Sequence, residues 1–419
     1  MRTESTDWSN VPETAVRESG WSRRSLGIVM GHSLLLQALT FCFRPSLSYA
    51  ALDAGLDTAW LGILSTAFAL PGLALALPAG AWTDRFGERA VAVSGAICMV
   101  SAALLAVVFS HSIVALVAAT ALFGAGHLLS VIADQALLAN QTPATRRDSV
   151  FGTYAFSISL GQAVGGGLLA INAGTMATPD LPLQFVLCLG LGVTGLVLAV
   201  LMTRSAAHPG TAAAKARGGV AELLRRPHAL RAIVASSLVV ASIEISLVYF
   251  PAIGYERAFP AAVVSAMLVS RSVASMLSRI GLGWWIRVLG RRRLMVGSVA
   301  LSALSLAALA LPLDAVWTVV VCSIFGFVTG ASQPLTLTWL SEIAPPGRRG
   351  MVMSLRVGTV RIAQSTLPMA VGALSVLAGA GGVLLATAGV VGIAAWLSSA
   401  ISDRPQPDYP GQTAAGEAA

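Results

Sequence analysis

Charged residues are scarce in this sequence. Asp, Glu, Lys and Arg together make up 11% of the 419 residues, whereas 56% of the residues are hydrophobic. Soluble domains contain about 25% charged and about 45–50% apolar residues, so this chain lacks the polar groups that would cover a water-exposed surface. The composition excludes a large soluble catalytic domain and indicates a protein whose length is set by membrane-spanning helices.

Cysteines are few, and none of them has the pattern of a metal site. Each of the four lies alone inside an apolar segment, away from the loops where an oxidising compartment would pair cysteines. We expect them to be small apolar packing residues. The sequence also lacks a nucleotide-binding Gly-rich loop of the Walker type. We therefore predict no metal site, no cofactor and no enzymatic activity. The four cysteines are Cys42, Cys98, Cys188 and Cys322.

Long apolar segments predict twelve transmembrane helices when the chain is read in windows of about 19 residues. The first 24 residues are polar and lack the apolar core of a secretory signal, so we expect the first apolar segment to be a retained span. Spans eight and eleven are ambiguous because each contains two arginines. The predicted spans are Leu26–Tyr49, Trp60–Trp82, Ala90–Ser110, Ile113–Leu138, Val150–Ile171, Leu183–Met202, Ala229–Phe250, Ala261–Ile280, Leu294–Leu311, Val316–Leu340, Met351–Leu377 and Gly382–Ile401.

Basic residues concentrate in the loops on one side of the predicted bundle, which we name the Arg-rich face. The loops on the opposite face hold Arg257 as their only Lys or Arg. Because Lys and Arg in short loops mark the cytoplasmic side, we expect both termini to be cytoplasmic in a bacterial-type inner membrane. The net charge of +8 then reflects topology, and nucleic-acid binding is not expected. The loops of the Arg-rich face carry Arg85, Arg89, Arg146, Arg147, Arg204, Lys215, Arg217, Arg225, Arg226, Arg287, Arg291, Arg292, Arg293, Arg348 and Arg349.

The second half of the chain repeats short patterns of the first half at offsets of 202 and 203 residues. Parallel half-repeats are one plan of membrane transporters, in which the substrate site lies between the halves near the membrane midplane. The matches are Phe123-Gly124 with Phe325-Gly326, Gln162 with Gln364, and Gly80 and Gly87 with Gly283 and Gly290. We predict a cytoplasmic tail over 1–24, a six-helix bundle over 25–203, a cytoplasmic linker over 204–228, a second six-helix bundle over 229–402 and a cytoplasmic tail over 403–419.

The loop after span two, Gly80 to Arg89, has the sequence Gly-Ala-Trp-Thr-Asp-Arg-Phe-Gly-Glu-Arg. It resembles the signature G-x-x-x-D-R-x-G-R-R of the major facilitator superfamily, and the resemblance covers essentially the whole chain. One departure is Glu88, which replaces the first arginine after Gly87. The resemblance implies an all-α membrane protein with twelve transmembrane helices in two pseudo-symmetric six-helix bundles.

The same resemblance implies that this loop stabilises one state of alternating access. We expect Gly80 to let helices approach closely, Gly87 to allow a tight turn, and Asp84 to form a latch with nearby arginines. The alternative is an ordinary turn whose charges only set topology. The predicted gating residues are Gly80, Asp84, Arg85, Gly87 and Arg89, with Gly283, Arg287, Gly290 and Arg291 in the second half.

Span five carries Gly152, Gly161 and Gly165, which resemble a signature of the drug-type antiporters in this superfamily. The match is partial, because Gly166 occupies the place of an expected proline. In span four, Thr120 stands where the antiporter pattern has an arginine, and the sugar-porter signatures are absent. The resemblance favours export, and the alternative interpretation of the three glycines is close helix packing through small residues.

Ionisable residues inside predicted spans are costly and mark functional sites. A proton-coupled carrier needs a carboxylate that gains and loses a proton between states, and Asp134 and Glu244 are the candidates. His127 lies seven residues before Asp134 and shares its helix face. The alternative is a fixed ion pair, for example between Glu244 and Arg271.

Three arginines against two carboxylates leave the interior of the predicted bundles net basic. Because a guanidinium binds carboxylates and similar groups in a fork, we hypothesise a substrate with an anionic or strongly accepting group. The alternative is that Arg44 and Arg361 are capped by carbonyls or glutamines. The candidate substrate-binding residues are Gln37, Arg44, His127, Gln162, Arg271, Gln333, Arg361 and Gln364.

These observations together predict a secondary transporter that works by alternating access. The favoured function is proton-coupled efflux of a small organic compound, such as a drug or a siderophore-like metabolite. One alternative is a proton-coupled importer of organic anions, and another is a non-transporting membrane sensor or scaffold. The expected partners are a small-molecule substrate, protons and the lipid bilayer, and we expect the protein to function as a monomer.

Overall fold

The structure, a computed structural model, describes residues 22–143, 146–203, 227–343, 349–373 and 375–399. All thirteen helices of this part are α-helices, and the described residues form no strand. The predicted tails, apart from the last residues of the N-terminal one, and nearly all of the predicted linker lie outside the described residues, so the domain boundaries stay predictions.

Twelve of the thirteen described helices are 20 residues or longer, and they correspond one by one to the twelve predicted spans. The short helix α9 lies in a loop of the Arg-rich face. The helices are α1 Arg23–Asp53, α2 Ala59–Phe86, α3 Glu88–Phe109, α4 Ile113–Gln141, α5 Arg147–Leu168, α6 Leu181–Leu201, α7 Pro227–Glu256, α8 Ala261–Ile280, α9 Leu282–Leu289, α10 Arg291–Ala310, α11 Ala315–Ile343, α12 Arg349–Gly372 and α13 Ser375–Ser399.

Ten of the described helices are long and apolar enough to cross a membrane by length and composition. The two long helices outside that set are α5 and α12. Helix α12 contains Arg349, Arg356 and Arg361, which explains why span eleven is ambiguous from sequence. The end predicted for that span, Leu377, is wrong, because α12 ends at Gly372 and α13 begins at Ser375. The all-helical fold class is confirmed, and the twelve long helices agree with the predicted count.

Local sequence signals explain several helix boundaries. The hydroxyl of Ser22 accepts a hydrogen bond from the Ser25 backbone N–H at the start of α1, and the Asp180 carboxylate accepts one from the Leu183 N–H at the start of α6. Gly87 separates α2 from α3 with φ of 83°, a conformation that L side chains rarely adopt. Gly290 separates α9 from α10 with φ of 78°, so the two halves use the same glycine turn.

The two halves pack their helices in the same order. In the first half α1 packs on α5 and α6, α4 packs on α2 and α3, and α3 packs on α6. The equivalent contacts of the second half join α7 with α12 and α13, α11 with α8 and α10, and α10 with α13. The halves meet through α1 with α7, α2 with α12 and α5 with α8. The molecule therefore consists of two pseudo-symmetric six-helix bundles.

A pair of close glycine contacts reproduces the sequence repeat in three dimensions. A Cβ on Gly124 of α4 would lie 2.0 Å from the carbonyl oxygen of Phe68 on α2. A Cβ on Gly326 of α11 would lie 2.1 Å from the carbonyl oxygen of Arg271 on α8. Phe68 and Arg271 are thus equivalent positions of the two halves. The glycines bring each fourth helix into direct contact with the second helix of its own half.

Large apolar side chains are exposed on the outer surfaces of both bundles, for example Val108 on α3, Leu304 on α10 and Trp396 on α13. Exposed apolar area of this extent is not found on the surface of a monomeric soluble protein. These side chains form the lipid-facing surface of a multi-pass membrane protein. Polar side chains such as Asp134 and Arg271 are instead buried between the helices.

Candidate functional site

A cavity of about 990 Å³ lies between the two halves. Its walls come mainly from α5 of the first half and α8 of the second half. The cavity reaches from Arg271, ten residues into α8, to the first turns of α5 and the last turn of α8, which adjoin the Arg-rich face. The lining residues are Gln135, Ser149, Phe151, Gly152, Thr153, Tyr154, Ala155, Phe156, Ile158, Ser159, Gln162, Ile243, Arg271, Ser275, Met276, Arg279, Ile280, Leu282, Thr329 and Pro334.

The two halves are in contact near the opposite face. The Ser265 hydroxyl of α8 donates a hydrogen bond of 2.7 Å to the carbonyl oxygen of Gly166 on α5. The Tyr249 hydroxyl of α7 donates one of 3.3 Å to the carbonyl oxygen of Thr58. A Cβ on Gly62 of α2 would lie only 2.8 Å from a carbonyl oxygen of α12. The structure is therefore open towards the Arg-rich face and closed at the opposite face.

Arg44 of α1 forms a salt bridge with Glu244 of α7, so this pair joins the two halves. Arg44 is 3% exposed, and its guanidinium carbon lies 4.2 Å from the centre of the Phe68 ring. Glu244 is in an ion pair, as the alternative interpretation has it, but the example partner Arg271 is wrong, because the Glu244 carboxylate bonds Arg44 instead. The glutamine cap considered for Arg44 is wrong for the same reason.

Arg361 of α12 is capped by a glutamine, which is the alternative that the sequence analysis gives for this arginine. Its Nη1 donates a hydrogen bond of 3.2 Å to Oε1 of Gln364, one helical turn further along α12. The same guanidinium packs against Gly72 of α2, where a Cβ would lie 3.6 Å from Nη1. Arg361 is also close enough to interact electrostatically with Glu244 and with His127. The ionisable side chains of Arg44, His127, Glu244 and Arg361 thus belong to one group that includes both halves.

Asp134 of α4 has His32 of α1 as its partner. Nδ1 of His32 lies 2.9 Å and 3.1 Å from the two carboxylate oxygens of Asp134, and both side chains are buried. His127, which shares a helix face with Asp134, instead packs its ring 5.5 Å from the Phe68 ring. Sequence reasoning missed His32, although an ionisable residue inside a predicted span is the same signal that singled out Asp134.

The remaining predicted substrate-binding residues differ in their distance from the cavity. Gln162 lines it, and its Nε2 donates a hydrogen bond of 3.4 Å to Oε1 of the buried Gln37 on α1. Arg271 lines the cavity and lies 5.1 Å from the centre of the Phe41 ring. The side chain of Gln333 lies outside the described residues. No pattern in the sequence indicated that the aromatic residues of α5, such as Tyr154, line a cavity.

Glu88 of the predicted gating loop accepts a hydrogen bond of 2.7 Å from Nδ2 of Asn140 on α4, but the latch expected of Asp84 is not formed among the described residues. Asp84 is exposed, and among the described residues no salt bridge joins it to an arginine. Cβ atoms on Gly80 or Gly283 would meet no heavy atom within 4 Å, so the close helix approach predicted for Gly80 is absent. The other predicted gating residues lie on the Arg-rich face, at the ends of α2, α3, α9 and α10 or in the glycine turns between them. They are Arg85, Gly87, Arg89, Arg287, Gly290 and Arg291.

Two of the three glycines singled out in span five are packing positions. A Cβ on Gly161 would lie 2.2 Å from the carbonyl oxygen of Leu34, and a Cβ on Gly165 would lie 2.1 Å from that of Ala38. Both contacts bring α5 directly against α1. Gly152 has open space around it and lines the cavity.

A family model described as Major Facilitator Superfamily matches residues 29–269 and 232–419, in two overlapping matches. The chain belongs to the Major Facilitator Superfamily. It is therefore a multi-pass membrane protein with the fold of the small-molecule secondary transporters, a family that is generally not enzymatic. A comparison with proteins of curated function found no match.

Solved structures with the same fold belong to proteins named as transporters of several kinds of substrate. A mutant of the nucleoside transporter NupG superposes with a TM-score of 0.74 at 12% identity, covering 89% of this chain and 98% of that one. A POT family transporter in complex with a thioalcohol-conjugated peptide has a TM-score of 0.72 at 15% identity, covering 89% and 95%. The inward-open xylose transporter XylE from E. coli has a TM-score of 0.69 at 14% identity, covering 91% and 97%. These similarities are to the fold, and they do not select the drug-antiporter subgroup.

Proposed function

We propose that this Major Facilitator Superfamily protein is a proton-coupled exporter of a small organic compound, with its Arg-rich face in the cytoplasm. The observation that carries the proposal is the cavity between the halves, which opens on the Arg-rich face while the opposite face is closed. In this orientation the conformation is the one in which an exporter takes up its substrate. Apolar and aromatic lining residues, such as Phe151, Phe156 and Met276, suit an organic molecule with an apolar part.

Asp134 and Glu244 have different roles in this proposal. The Arg44–Glu244 salt bridge joins the halves, so it has to break when the opposite face opens. The His32–Asp134 pair joins α1 with α4 inside the first half, so it is able to persist while the halves rock against each other. We assign proton coupling to Asp134 with His32 and closure of the opposite face to Glu244 with Arg44.

Tyr154 connects the proposed proton carrier to the cavity. Its side chain lines the cavity, and it lies close enough to Asp134 to interact with the carboxylate electrostatically. Tyr154 is therefore the cavity residue through which we propose that a proton on Asp134 acts on the substrate space. This arrangement allows protonation to alter the cavity without direct contact between Asp134 and the substrate.

We further propose that the gating loop around Asp84 engages arginines of neighbouring helices when the Arg-rich face closes. Asp84 and Gly80 are free of such contacts in the present conformation, and the opening of the cavity separates the halves on this side. The loop would thus stabilise the state opposite to the one described.

Import of organic anions is the second candidate function. It is favoured by the two arginines, Arg271 and Arg279, that line the cavity, since guanidinium groups bind carboxylates and phosphates. An importer would release its substrate from the same conformation from which an exporter loads. The two functions differ in the direction of net flux of the substrate.

The experiment compares the culture media of a deletion strain, the parent strain and an overexpressing strain by untargeted mass spectrometry. Export predicts a compound that accumulates in the medium in proportion to the amount of protein. A compound that is depleted from the medium in that proportion would support import and contradict the proposed direction. An Asp134→Asn strain is the matched comparison for coupling, and we expect it to resemble the deletion.

A further inference from the structure

Helix α8 presents two arginines to the cavity. Arg271 and Arg279 are eight residues apart, which places them about 12 Å apart along the helix axis. Nη1 of Arg279 donates a hydrogen bond of 3.0 Å to the hydroxyl of Ser159 on α5. Among the described residues that line the cavity, none is Asp or Glu. Two arginines of one helix therefore belong to the wall of the cavity.

Arg271 is the deeper of the two and donates no hydrogen bond to any described residue. Its side chain is 2% exposed, and its Nε and Nη2 are buried without a partner. The guanidinium faces the Phe41 ring, which offers a cation–π contact but accepts no ordinary hydrogen bond. Glu244 interacts with Arg271 only electrostatically, because its carboxylate is salt-bridged to Arg44.

Three other arginines inside the described helices have oxygen partners. Arg44 bonds the Glu244 carboxylate, Arg361 bonds Gln364, and Nε of Arg356 donates 2.9 Å to the Ser236 hydroxyl. A buried guanidinium stays charged and is unfavourable when its donors are unmet, because it has lost its hydration. Arg271 is thus a buried arginine of the cavity lining whose Nε and Nη2 have no hydrogen-bond partner among the described residues.

The unpaired donors of Arg271 have the geometry of an oxyanion site. Nε and Nη2 lie on one edge of the planar guanidinium, and their N–H groups point in parallel. Two parallel N–H donors match the two oxygens of a carboxylate, a sulfonate or a phosphate, which is the strong bidentate form of this interaction. Arg271 also lies at the inner end of the cavity, so an anionic group bound there leaves the rest of the molecule against the apolar lining of α5.

We propose that Arg271 binds the oxyanion of the transported compound, so that the substrate is an organic anion with an apolar body. This inference rests on the proposed transport function and adds a substrate class to it. Arg279 lies on the same wall nearer the Arg-rich face and adds positive charge along the way into the cavity. The substrates that this proposal includes all have a carboxylate, sulfonate or phosphate group attached to an organic skeleton.

The test uses two dyes that share a xanthene skeleton and differ in charge, the anion fluorescein and the cation rhodamine 6G. Binding of each dye to the purified full-length protein in detergent is measured by fluorescence anisotropy. We expect fluorescein to bind with a Kd at least about tenfold lower than that of rhodamine 6G. In Arg271→Gln the fluorescein Kd should rise at least about tenfold, with rhodamine binding unchanged. Arg356→Gln is the matched control, since Arg356 is a largely buried arginine outside the cavity lining, and it should bind like the wild type.

Competition in the wild-type protein keeps the test valid if Arg271→Gln does not fold. Unlabelled benzoate should displace fluorescein, whereas benzamide, a neutral molecule of the same shape, should not. Equal displacement by the two compounds would overturn the proposal. So would an absence of fluorescein binding at about 1 mM, or fluorescein binding that is unaffected by Arg271→Gln.

The two proposals fail in different experiments. Equilibrium binding requires neither a proton gradient nor a transport direction. Export of a cationic compound without anion binding would remove the inference about Arg271 and leave proton-coupled efflux intact. Anion binding without any flux driven by a pH gradient would remove the proposed efflux function and leave the oxyanion site.

Discussion

Arg44 of α1 and Glu244 of α7 form a salt bridge that joins the two halves of this transporter. Ile243, the neighbour of Glu244, still lines the cavity, whereas Tyr249 bonds the opposite end of the interface. The pair therefore lies between the open cavity and the closed face. Its position explains why two costly charges are kept inside the membrane.

Glu244→Gln should favour opening of the opposite face. A loss of about 1–2 kcal/mol from this contact would shift the ratio of the two states about 5- to 30-fold. The measurement is labelling of Ser48→Cys, one helical turn beyond Arg44, by a membrane-impermeant maleimide added from the opposite face. The background is a variant in which the four native cysteines are replaced. Labelling that is equally slow with and without Glu244→Gln would show that the pair does not hold this face closed.

Asp134→Asn should abolish flux driven by a pH gradient while leaving exchange of the substrate across the membrane intact. The reason is that the amide occupies the same space beside His32 but cannot gain or lose the coupling proton. Both activities are measured in proteoliposomes, with and without an imposed pH gradient.

Glu244→Gln is the companion variant for Asp134→Asn, because it removes the second buried carboxylate that sequence reasoning considers for coupling. We expect it to retain pH-driven flux at a reduced rate. Intact pH-driven flux in the Asp134→Asn, Glu244→Gln double variant would exclude both carboxylates as proton carriers.

Gly161→Ala should lower the stability of the first bundle. The added Cβ would lie 2.2 Å from the Leu34 carbonyl oxygen, so α5 and α1 have to move apart. Overpacking of this kind costs about 1–3 kcal/mol. The melting temperature in detergent should fall in Gly161→Ala, whereas Gly190→Ala in α6, where a Cβ meets nothing within 4 Å, should leave it unchanged or raise it. Equal melting temperatures for the two variants would contradict the packing role of Gly161.

Gly87→Ala should destabilise the turn between α2 and α3. Gly87 has φ of 83° and ψ of 155°, a conformation that costs an L-residue about 1–3 kcal/mol. We expect a lower melting temperature than in Gly80→Ala, whose added methyl group has open space in this conformation. A Gly87→Ala variant as stable as Gly80→Ala would show that the turn adopts another backbone conformation without cost, and it would contradict the requirement for glycine at position 87.

Much of the fold could be predicted from the sequence. A membrane helix reveals itself through a local run of apolar residues, so the twelve long helices follow from hydropathy. The repeat of Phe123-Gly124 as Phe325-Gly326 also reappears as equivalent glycine contacts. Helix α9 and the break at the end of α12 could not be found, because they depend on a few residues at a helix boundary.

The partners of the buried charges could not be predicted in the same way. Asp134 pairs with His32, 102 positions earlier in the chain, and Glu244 pairs with Arg44, 200 positions earlier. Depth along each helix is readable from sequence, but the rotation of a helix and its neighbours are set by packing. The sequence pattern therefore identified most of the charged groups of the interior, but not the partners of Asp134 and Glu244.

The most direct test of proton-coupled efflux uses everted membrane vesicles that contain the protein and the compound identified from the culture media. The vesicle lumen is acidified, so an exporter should move the compound from the medium into the lumen as protons leave. We predict accumulation that a proton uncoupler abolishes and that Asp134→Asn vesicles lack. Acid-driven loss of the compound from preloaded vesicles, or accumulation that persists in Asp134→Asn, would contradict the proposed mechanism.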